Sequence, residues 1–447
     1  KIKNGNPRLG GQPVTVYGNQ VGGNDIFIFS TTCDGQVRWS QAIGGGGLFD
    51  AAYKLTLDSN NNVYVGANLH PGDNTYPVHF SPTEVLPNQP TTPNTPSDYH
   101  KKTFLVKYNS NGQFVWKKAL QGITISYLDR SEILDLLIDS NDIIHFIVGF
   151  TSGNHLDNNV TVPNTITSFQ YYLAKYDTAG NYVSSLQLPI PNGSGFVAPS
   201  FAFRYDEPRN RYLIGGFRSK VNANENIPLT YDGTAFTENA YILALNATNG
   251  SEIWRREMTS TEPTFQDNRI YDLVVDDANG DIYISGKLVE TGQSGGAIRI
   301  KDPKNPSATP YTFNIAVWGN MPFIAKLNSN GTAQWARTPT GYNLSTSATG
   351  DYWGFGLALR NNADEVAFAT MGSNTIWDGF SMSRPSGHQS DPLLMRFNKQ
   401  TGAVVGMHEI QGSTGNVHML TAVAVDNDGN YVVGGCYRGN LFTGGGN

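Results

Sequence analysis

The chain has 447 residues with a formal net charge of −6, and only 15% of its residues are charged. A surface that binds nucleic-acid phosphates needs clustered Lys and Arg, so this balance argues against a nucleic-acid partner. No run of 18 apolar residues is present, which argues against a membrane-spanning helix, and residues 1–4 lack the apolar core of a signal peptide. The 49 glycines and the many Asn, Thr and Ser residues favour a turn-rich all-β chain with an extracellular type of surface.

The first predicted element is a hairpin in which an apolar strand, an Asn/Asp-Gly turn and a strand ending near Trp follow one another. We call this pattern the Trp hairpin and its strands c and d. The tryptophans recur in register, which predicts that they pack between sheets, whereas Ser184 and Gly406 replace Trp in the third and sixth copies. The copies begin at Asp25, Lys102, Tyr171, Ala240, Met321 and Asp391, and the recurring tryptophans are Trp39, Trp116, Trp254 and Trp335.

A second pattern, the Asp hairpin with strands a and b, alternates with the first. Apolar residues at positions 53, 55 and 57 of its first copy predict a strand by their alternation. The Asp that ends strand a is expected to bond the backbone of the turn that follows. The copies begin at Ala51, Glu132, Ser200, Ile270, Trp353 and Met419, and the aspartates are Asp58, Asp139, Asp206, Asp276 and Asp426.

Six copies of a four-stranded unit, with a period of roughly 70 residues, predict an all-β, six-bladed β-propeller. The chain begins with an unpartnered Trp hairpin and ends with an unpartnered Asp hairpin. We therefore expect the ring to close where the N-terminal c and d strands pair with the C-terminal a and b strands. The prediction is a single domain over residues 1–447, with six repeats over 25–437 and linkers at 1–24 and 438–447.

The two cysteines are predicted to be free thiols. In the closed ring, Cys33 and Cys436 would lie at opposite ends of paired strands, roughly 20 Å apart at about 3.3 Å per residue. A disulfide needs Cα atoms within about 7 Å of each other.

Two linkers between strands b and c, residues 70–101 and 289–320, are unusually long. The second contains a possible extra hairpin, at 297–300 and 311–313. Loops of this length often carry function, and we expect both to crown one face of the ring.

The two hairpin patterns resemble the SBBP-type bacterial β-propeller repeat. The segment from Phe323 to Trp335, with Gly331, matches the first half of that repeat, and the segment from Asp426 to Gly434 matches the second. The resemblance covers nearly all of residues 25–437. It implies a secreted or cell-surface, Bacteroidota-like protein, of a kind often exported by type IX secretion to the outer membrane. It transfers no active site, because this family is defined by fold.

A second resemblance concerns residues 244–254, which are similar to the repeat of quinoprotein dehydrogenases. That resemblance implies pyrroloquinoline quinone and calcium. The chain has six copies where those proteins usually have eight, and it has no vicinal cysteine pair. The prediction is therefore a protein without a cofactor, with calcium as the alternative.

Charged residues on the innermost strand, a, are candidates for function because a charge among apolar strands must be paired or hydrated. Lys54 and Asp135 come from adjacent blades and could pair, as could Arg204 and Asp272. One interpretation is an electrostatic lining of a water-filled tunnel. The other is a ligand site or a general acid/base pair at the tunnel mouth, with Asp135 and Asp272 as the catalytic carboxylates.

Two turns resemble fragments of calcium loops. They contain Asp276 and Asp281, and Asp426 and Asp428, but no Glu stands at the twelfth position. The alternative interpretation is a tight hairpin turn capped by Asp and Asn. No spacing of histidines indicates a metal centre.

Three tryptophans do not recur, Trp318, Trp353 and Trp377, and each stands near a loop or a blade end. An exposed indole at such a place could stack on a sugar or a protein partner, and the alternative is ordinary packing. The sequence thus favours a non-catalytic module for protein or carbohydrate binding and adhesion, part of a larger surface assembly, with Lys54 and Arg204 as further binding residues. The alternative is a glycan hydrolase or lyase.

Overall fold

The structure is a computed structural model. It describes residues 2–3, 7–17, 24–45, 50–69, 77–86, 102–120, 133–163, 165, 169–190, 202–218, 220–222, 225–226, 228–260, 268–290, 296–315, 319–342, 354–372, 375–382, 390–412 and 418–437. Two compact units follow one another, Lys1–Gly193 and Ser194–Asn447. None of the helices among these residues is long and apolar enough to cross a membrane.

The described residues of the first unit form fifteen strands. They are β1 Ile2–Lys3, β2 Arg8–Leu9, β3 Gln12–Pro13, β4 Asn24–Thr31, β5 Val37–Ile43, β6 Leu55–Leu57, β7 Val63–Leu69, β8 Lys102–Tyr108, β9 Phe114–Ala119, β10 Leu136–Ile138, β11 Ile143–Phe150, β12 Gly153–His155, β13 Val160–Val162, β14 Gln170–Asp177 and β15 Tyr182–Gln187.

The second unit contains the other strands and two short 3-10 helices. The strands are β16 Ala202–Asp206, β17 Arg211–Phe217, β18 Lys220–Asn222, β19 Glu225–Asn226, β20 Thr230–Tyr231, β21 Thr234–Ala235, β22 Ala240–Asn246, β23 Glu252–Ser260, β24 Arg269–Val275, β25 Ile282–Glu290, β26 Ala297–Lys301, β27 Tyr311–Asn314, β28 Gly319–Leu327, β29 Ala333–Arg337, β30 Gly341–Tyr342, β31 Gly354–Arg360, β32 Glu365–Gly372, β33 Thr375–Trp377, β34 Phe380–Ser381, β35 Asp391–Asn398, β36 Val404–Glu409, β37 Met419–Val425 and β38 Tyr431–Cys436; the helices are Glu207–Arg209 and Asn361–Ala363.

The protein is all-β, and the predicted order a, b, c, d recurs in five antiparallel sheets. Each sheet joins an Asp hairpin to the Trp hairpin that follows it, as where Val63 pairs with Tyr108 between strands b and c. Sheet 1 is β6-β7-β8-β9, sheet 2 is β10-β11-β14-β15, sheet 3 begins β16-β17-β22-β23, sheet 4 is β24-β25-β28-β29, and sheet 5 is β31-β32-β35-β36.

Within each unit, consecutive sheets pack face to face with one apolar core at each interface. Ile28 of β4 shares a core with Val65 of sheet 1. Sheets 3 and 4 meet around residues such as Leu213 and Ile284, and all these side chains are buried. Because both faces of most sheets are covered, the strands are apolar on both sides, and burial of this surface drives the stacking.

The aspartates that end strand a bond the turn as predicted in four of five copies. Asp58, for example, accepts from the backbone N–H groups of Asn60 (3.0 Å) and Asn62 (2.8 Å). Asp206 is the exception: it binds Arg209 (3.0 Å) and Arg211 (2.7 Å) instead. The reason is local, since a 3-10 helix with Pro at its start replaces the tight turn after Asp206.

These turn carboxylates predict an acid-sensitive fold. Burial raises the pKa of Asp58, but hydrogen bonds from Asn62, Tyr64 and Asn60 outweigh burial and hold the pKa below its ordinary value. A depressed pKa contributes stability above the unfolded value of about 3.9, and that stability disappears as pH falls through the folded pKa. We expect the urea midpoint of the wild type to fall more steeply below about pH 4 than that of Asp58→Asn. Parallel curves for the two proteins would contradict this role.

The recurring tryptophans pack as predicted, and each indole lies on a glycine in the c–d turn of the next hairpin or sheet. We call this contact the tryptophan clasp. These glycines have φ between +69° and +85°, and a Cβ at any of them would press into the indole. The indole N–H of Trp39 also donates to the carbonyl of Ser110 (2.9 Å) in the same turn. The clasps are Trp39 on Gly112, Trp116 on Gly180, Trp254 on Gly331 and Trp335 on Gly402.

The extra hairpin of the linker at 289–320 is present, but where described it does not crown a face. Strands β26 and β27 extend sheet 3 to six strands, because Ser260 of β23 pairs with Ile298 and continues the ladder. An outermost strand presents unpaired backbone groups, and the hairpin satisfies them.

The two ends of the chain form half-sheets. Strand β4 pairs with β5 and, at Asn24 and Asp25, with β1, while β37 pairs with β38. Cys33 and Cys436 are free and exposed. The closure of the ring and the count of six blades stay predictions.

Candidate functional site

In the second unit, the carboxylate of Asp272 connects the inner strands of three sheets. Asp272 on β24 binds the guanidinium of Arg204 on β16 (3.1 Å), as predicted. Its other oxygen accepts from the backbone N–H of Leu357 on β31 (2.9 Å). The pairing register shifts between Gly354 and Leu357, which turns this N–H away from the ladder. Asp272 is buried, whereas about a quarter of the Arg204 side chain is exposed.

The first unit contains the other predicted pair. Lys54 lies 3.4 Å from Asp135, and again the acid is buried while the cation is partly exposed. The second oxygen of Asp135 accepts from the backbone N–H of Leu136 (2.9 Å). In both units the carboxylate is therefore held by a cation from the preceding sheet.

Removing Asp272 tests whether this group is structural. We expect Asp272→Ala to lower the free energy of unfolding by about 2 kcal/mol, because it leaves Arg204 and the Leu357 N–H without this acceptor. The partial exposure of Arg204 keeps the value below that of a fully buried pair. Asp272→Asn retains an acceptor for Leu357 and should cost about half as much. Urea unfolding measures both variants, and a neutral Asp272→Ala would leave this acid available for chemistry.

Three of the four aspartates proposed as calcium ligands, Asp276, Asp281 and Asp426, bind other groups, and Asp428 is exposed. Asp276 binds the ammonium of Lys399 (2.5 Å), and Asp281 binds that of Lys326 (2.7 Å). Asp426 accepts from the backbone N–H groups of Asp428 (3.0 Å) and Asn430 (2.7 Å), as a hairpin turn requires. Among the described residues, no group of three or more His, Cys, Asp or Glu side chains is placed to hold a metal ion. A calcium site stays a prediction.

Trp377, a candidate for stacking on a ligand, follows the alternative of ordinary packing. Only 1% of this residue is exposed, and its ring packs against Phe368 and Phe397. The small strand β33 turns the indole into the core of sheet 5, so this side chain is not available for stacking on a ligand. Trp318 and Trp353 lie outside the described residues.

Short hairpins in the b–c linkers were not expected from the sequence, except in the linker at 289–320. Each of four linkers is fixed to the end of the preceding strand d or to the chain just after it. His79 forms a β-bridge with Gly44, and the N–H of Leu156 donates to the carbonyl of Leu120 (2.9 Å). The same relation joins β26 to β23, and β33 to β30. The sequence signals are the Asp-Gly pairs at 232–233 and 378–379, each of which suits a two-residue hairpin turn and lies between two paired strands.

No family model matches this chain, and no curated protein matches it. Among solved structures, it is similar to quinohemoprotein alcohol dehydrogenase from Comamonas testosteroni (12% identity, TM-score 0.37), covering 87% of this chain and 60% of that one. A europium-containing methanol dehydrogenase gives 10% identity and a TM-score of 0.34, with 88% and 80% covered. A DUF4221-family member from Bacteroides vulgatus gives 11% and 0.23, with 70% and 92% covered. The function proposed below rests on this chain's own residues.

Proposed function

We propose that this protein is a non-catalytic binding module that acts outside the cell and recognises a glycan or a protein partner. The observation that carries the proposal is the set of linker hairpins, which are fixed at their bases and exposed at their tips. A binding surface gains affinity when its elements are ordered before the partner arrives.

The tips consist of small polar residues with an occasional aromatic side chain. Ser307 is exposed between β26 and β27, as is Asp157 between β12 and β13. Phe380, just after the turn that joins β33 to β34, is 38% exposed. Polar groups beside an aromatic ring are the side chains that proteins use to bind sugars and polar protein surfaces.

The inner carboxylates support the same proposal against a glycan hydrolase. Glycoside hydrolases canonically use two carboxyl groups that flank one glycosidic bond. Asp272 is occupied by Arg204 and by the Leu357 N–H, and Asp135 by Lys54 and the Leu136 N–H. The partners of each carboxylate are therefore those of a structural group that links neighbouring sheets.

We also propose that the scaffold is a six-bladed ring closed by the two half-sheets. The apolar side chains of Leu55 and Leu57 on β6 are about half exposed, as is Val432 on β38. Stacked sheets normally cover such side chains, and pairing the two half-sheets would cover them while removing two open edges. A closed ring would hold all the hairpins in one rigid array.

The experiment is a glycan array together with a pull-down from the cell envelope of the source organism, with the full chain as bait. Trimming the linkers would disturb their anchors, so the variants change only the tips, as Phe380→Ser and Ser307→Arg. Val115→Ser is the matched control, because Val115 is similarly exposed but lies on the outer strand β9.

We expect a specific glycan or protein whose binding weakens at least about tenfold in a tip variant and is unchanged in Val115→Ser. Absence of any partner in both assays would overturn the proposal. So would cleavage of an array glycan by the wild type that is lost in Asp135→Asn or Asp272→Asn.

A further inference from the structure

The tryptophan clasp is missing from the repeat at two places. Ser184 stands on β15, the last strand d of the first unit, and Gly406 stands on β36, the last strand d of the second. Among the described residues, a strand d carries the tryptophan wherever a further c–d turn follows it in the same unit. The two losses therefore coincide with the ends of the two units.

At the second of these places, polar contacts replace the clasp. The guanidinium of Arg396 occupies the space beside Gly406 and binds Glu365 (3.2 Å). The hydroxyl of Tyr431 on β38 donates to the same carboxylate (2.6 Å). The C-terminal half-sheet is thus attached to sheet 5 without an indole.

We propose that Lys1–Gly193 and Ser194–Asn447 are separate cooperative folding units, each held together by its own clasps. In a stack of repeated elements, cooperativity extends as far as the interfaces between neighbours are strong. Each clasp combines a large aromatic contact with a turn that only glycine adopts without strain. A strand d without tryptophan lacks this coupling.

The test follows hydrogen exchange by mass spectrometry in the full chain at increasing urea, which reports on both units at once. Gly180→Ala strains the clasp under Trp116 in the first unit, and Gly402→Ala strains the clasp under Trp335 in the second. We expect each variant to lower the urea midpoint of its own unit by about 1 M and to leave the other unit unchanged. Equal shifts of both units in both variants would overturn the proposal.

Two further variants keep the test decisive. If a glycine variant does not fold, Trp116→Phe and Trp335→Phe weaken the same clasps more gently. We expect smaller shifts from them, again confined to the unit that holds the altered clasp.

Discussion

Gly112→Ala will destabilise the first unit by about 3 kcal/mol, whereas Gly35→Ala will cost about 1 kcal/mol. Both glycines stand in c–d turns with positive φ, at +77° and +84°. A Cβ at Gly35 would meet no atom within 4 Å, but a Cβ at Gly112 would press into the indole of Trp39. Both variants therefore carry the same kind of backbone strain. The difference between their losses of unfolding free energy measures the contribution of the clasp.

The measurement is urea unfolding of the two variants beside the wild type, followed by hydrogen exchange in residues 1–193. The double variant Gly112→Ala, Trp39→Ala completes a double-mutant cycle, because removal of the indole should relieve most of the clash with the new Cβ. Equal losses of unfolding free energy in Gly35→Ala and Gly112→Ala would show that the indole moves aside without an energetic penalty and that the clasp is weak.

Ile26→Cys will form an intramolecular disulfide with the native Cys436. Asp426 and Asp58 accept the same turn hydrogen bonds, so Cys436 stands where Asn68 stands in sheet 1. Counting from Gly35 and Gly112, Ile26 likewise corresponds to Thr103. Asn68 and Thr103 pair across strands b and c, and their side chains touch at 3.3 Å.

A directly opposed pair brings Cβ atoms to about 4.5–5.5 Å, close to the spacing of a disulfide. The bridge would close a loop of about 410 residues, and we expect it to raise the free energy of unfolding by about 4 kcal/mol. In the described part of the first unit, β1 pairs with β4 at Asn24 and Asp25 only. In the closed ring that we propose, residues 26–31 would pair with residues 431–436.

Non-reducing electrophoresis and mass spectrometry of the disulfide-linked peptides decide the outcome, in a Cys33→Ser background. Phe27→Cys is the control, because its side chain would point to the opposite face of the strand. Intermolecular disulfides would show that the half-sheets pair between copies. Equal crosslinking at positions 26 and 27, or none at either, would contradict closure in this register.

The two ion pairs illustrate what a repeat makes predictable. Lys54 with Asp135, and Arg204 with Asp272, were expected because charged positions near the end of strand a in adjacent blades must lie near one another. The backbone N–H of Leu357, which completes the environment of Asp272, was not expected, because a β-bulge leaves no signal in the sequence.

The misplaced predictions share another cause. Trp377 was named as a candidate for ligand stacking because it lies outside the repeat, yet β33 carries it into the core of sheet 5. The hairpin of β26 and β27 was predicted as a hairpin but not as an extension of sheet 3. The position of an insertion depends on which edge or cavity the neighbouring elements leave open, and that is a property of the assembled sheets.

The sequence by itself determined the strands of the repeats, their order within each sheet, the turns that end at Asp or Gly, and the packing role of the recurring tryptophans. These features follow from side-chain alternation and turn chemistry, which act over a few residues and recur from copy to copy. Only the tertiary structure decided that each indole rests on a glycine 64–77 residues further along the chain, and that the linkers form hairpins fixed to the preceding sheet. Those contacts join neighbouring sheets, and their geometry is set by packing between sheets instead of by the local chain.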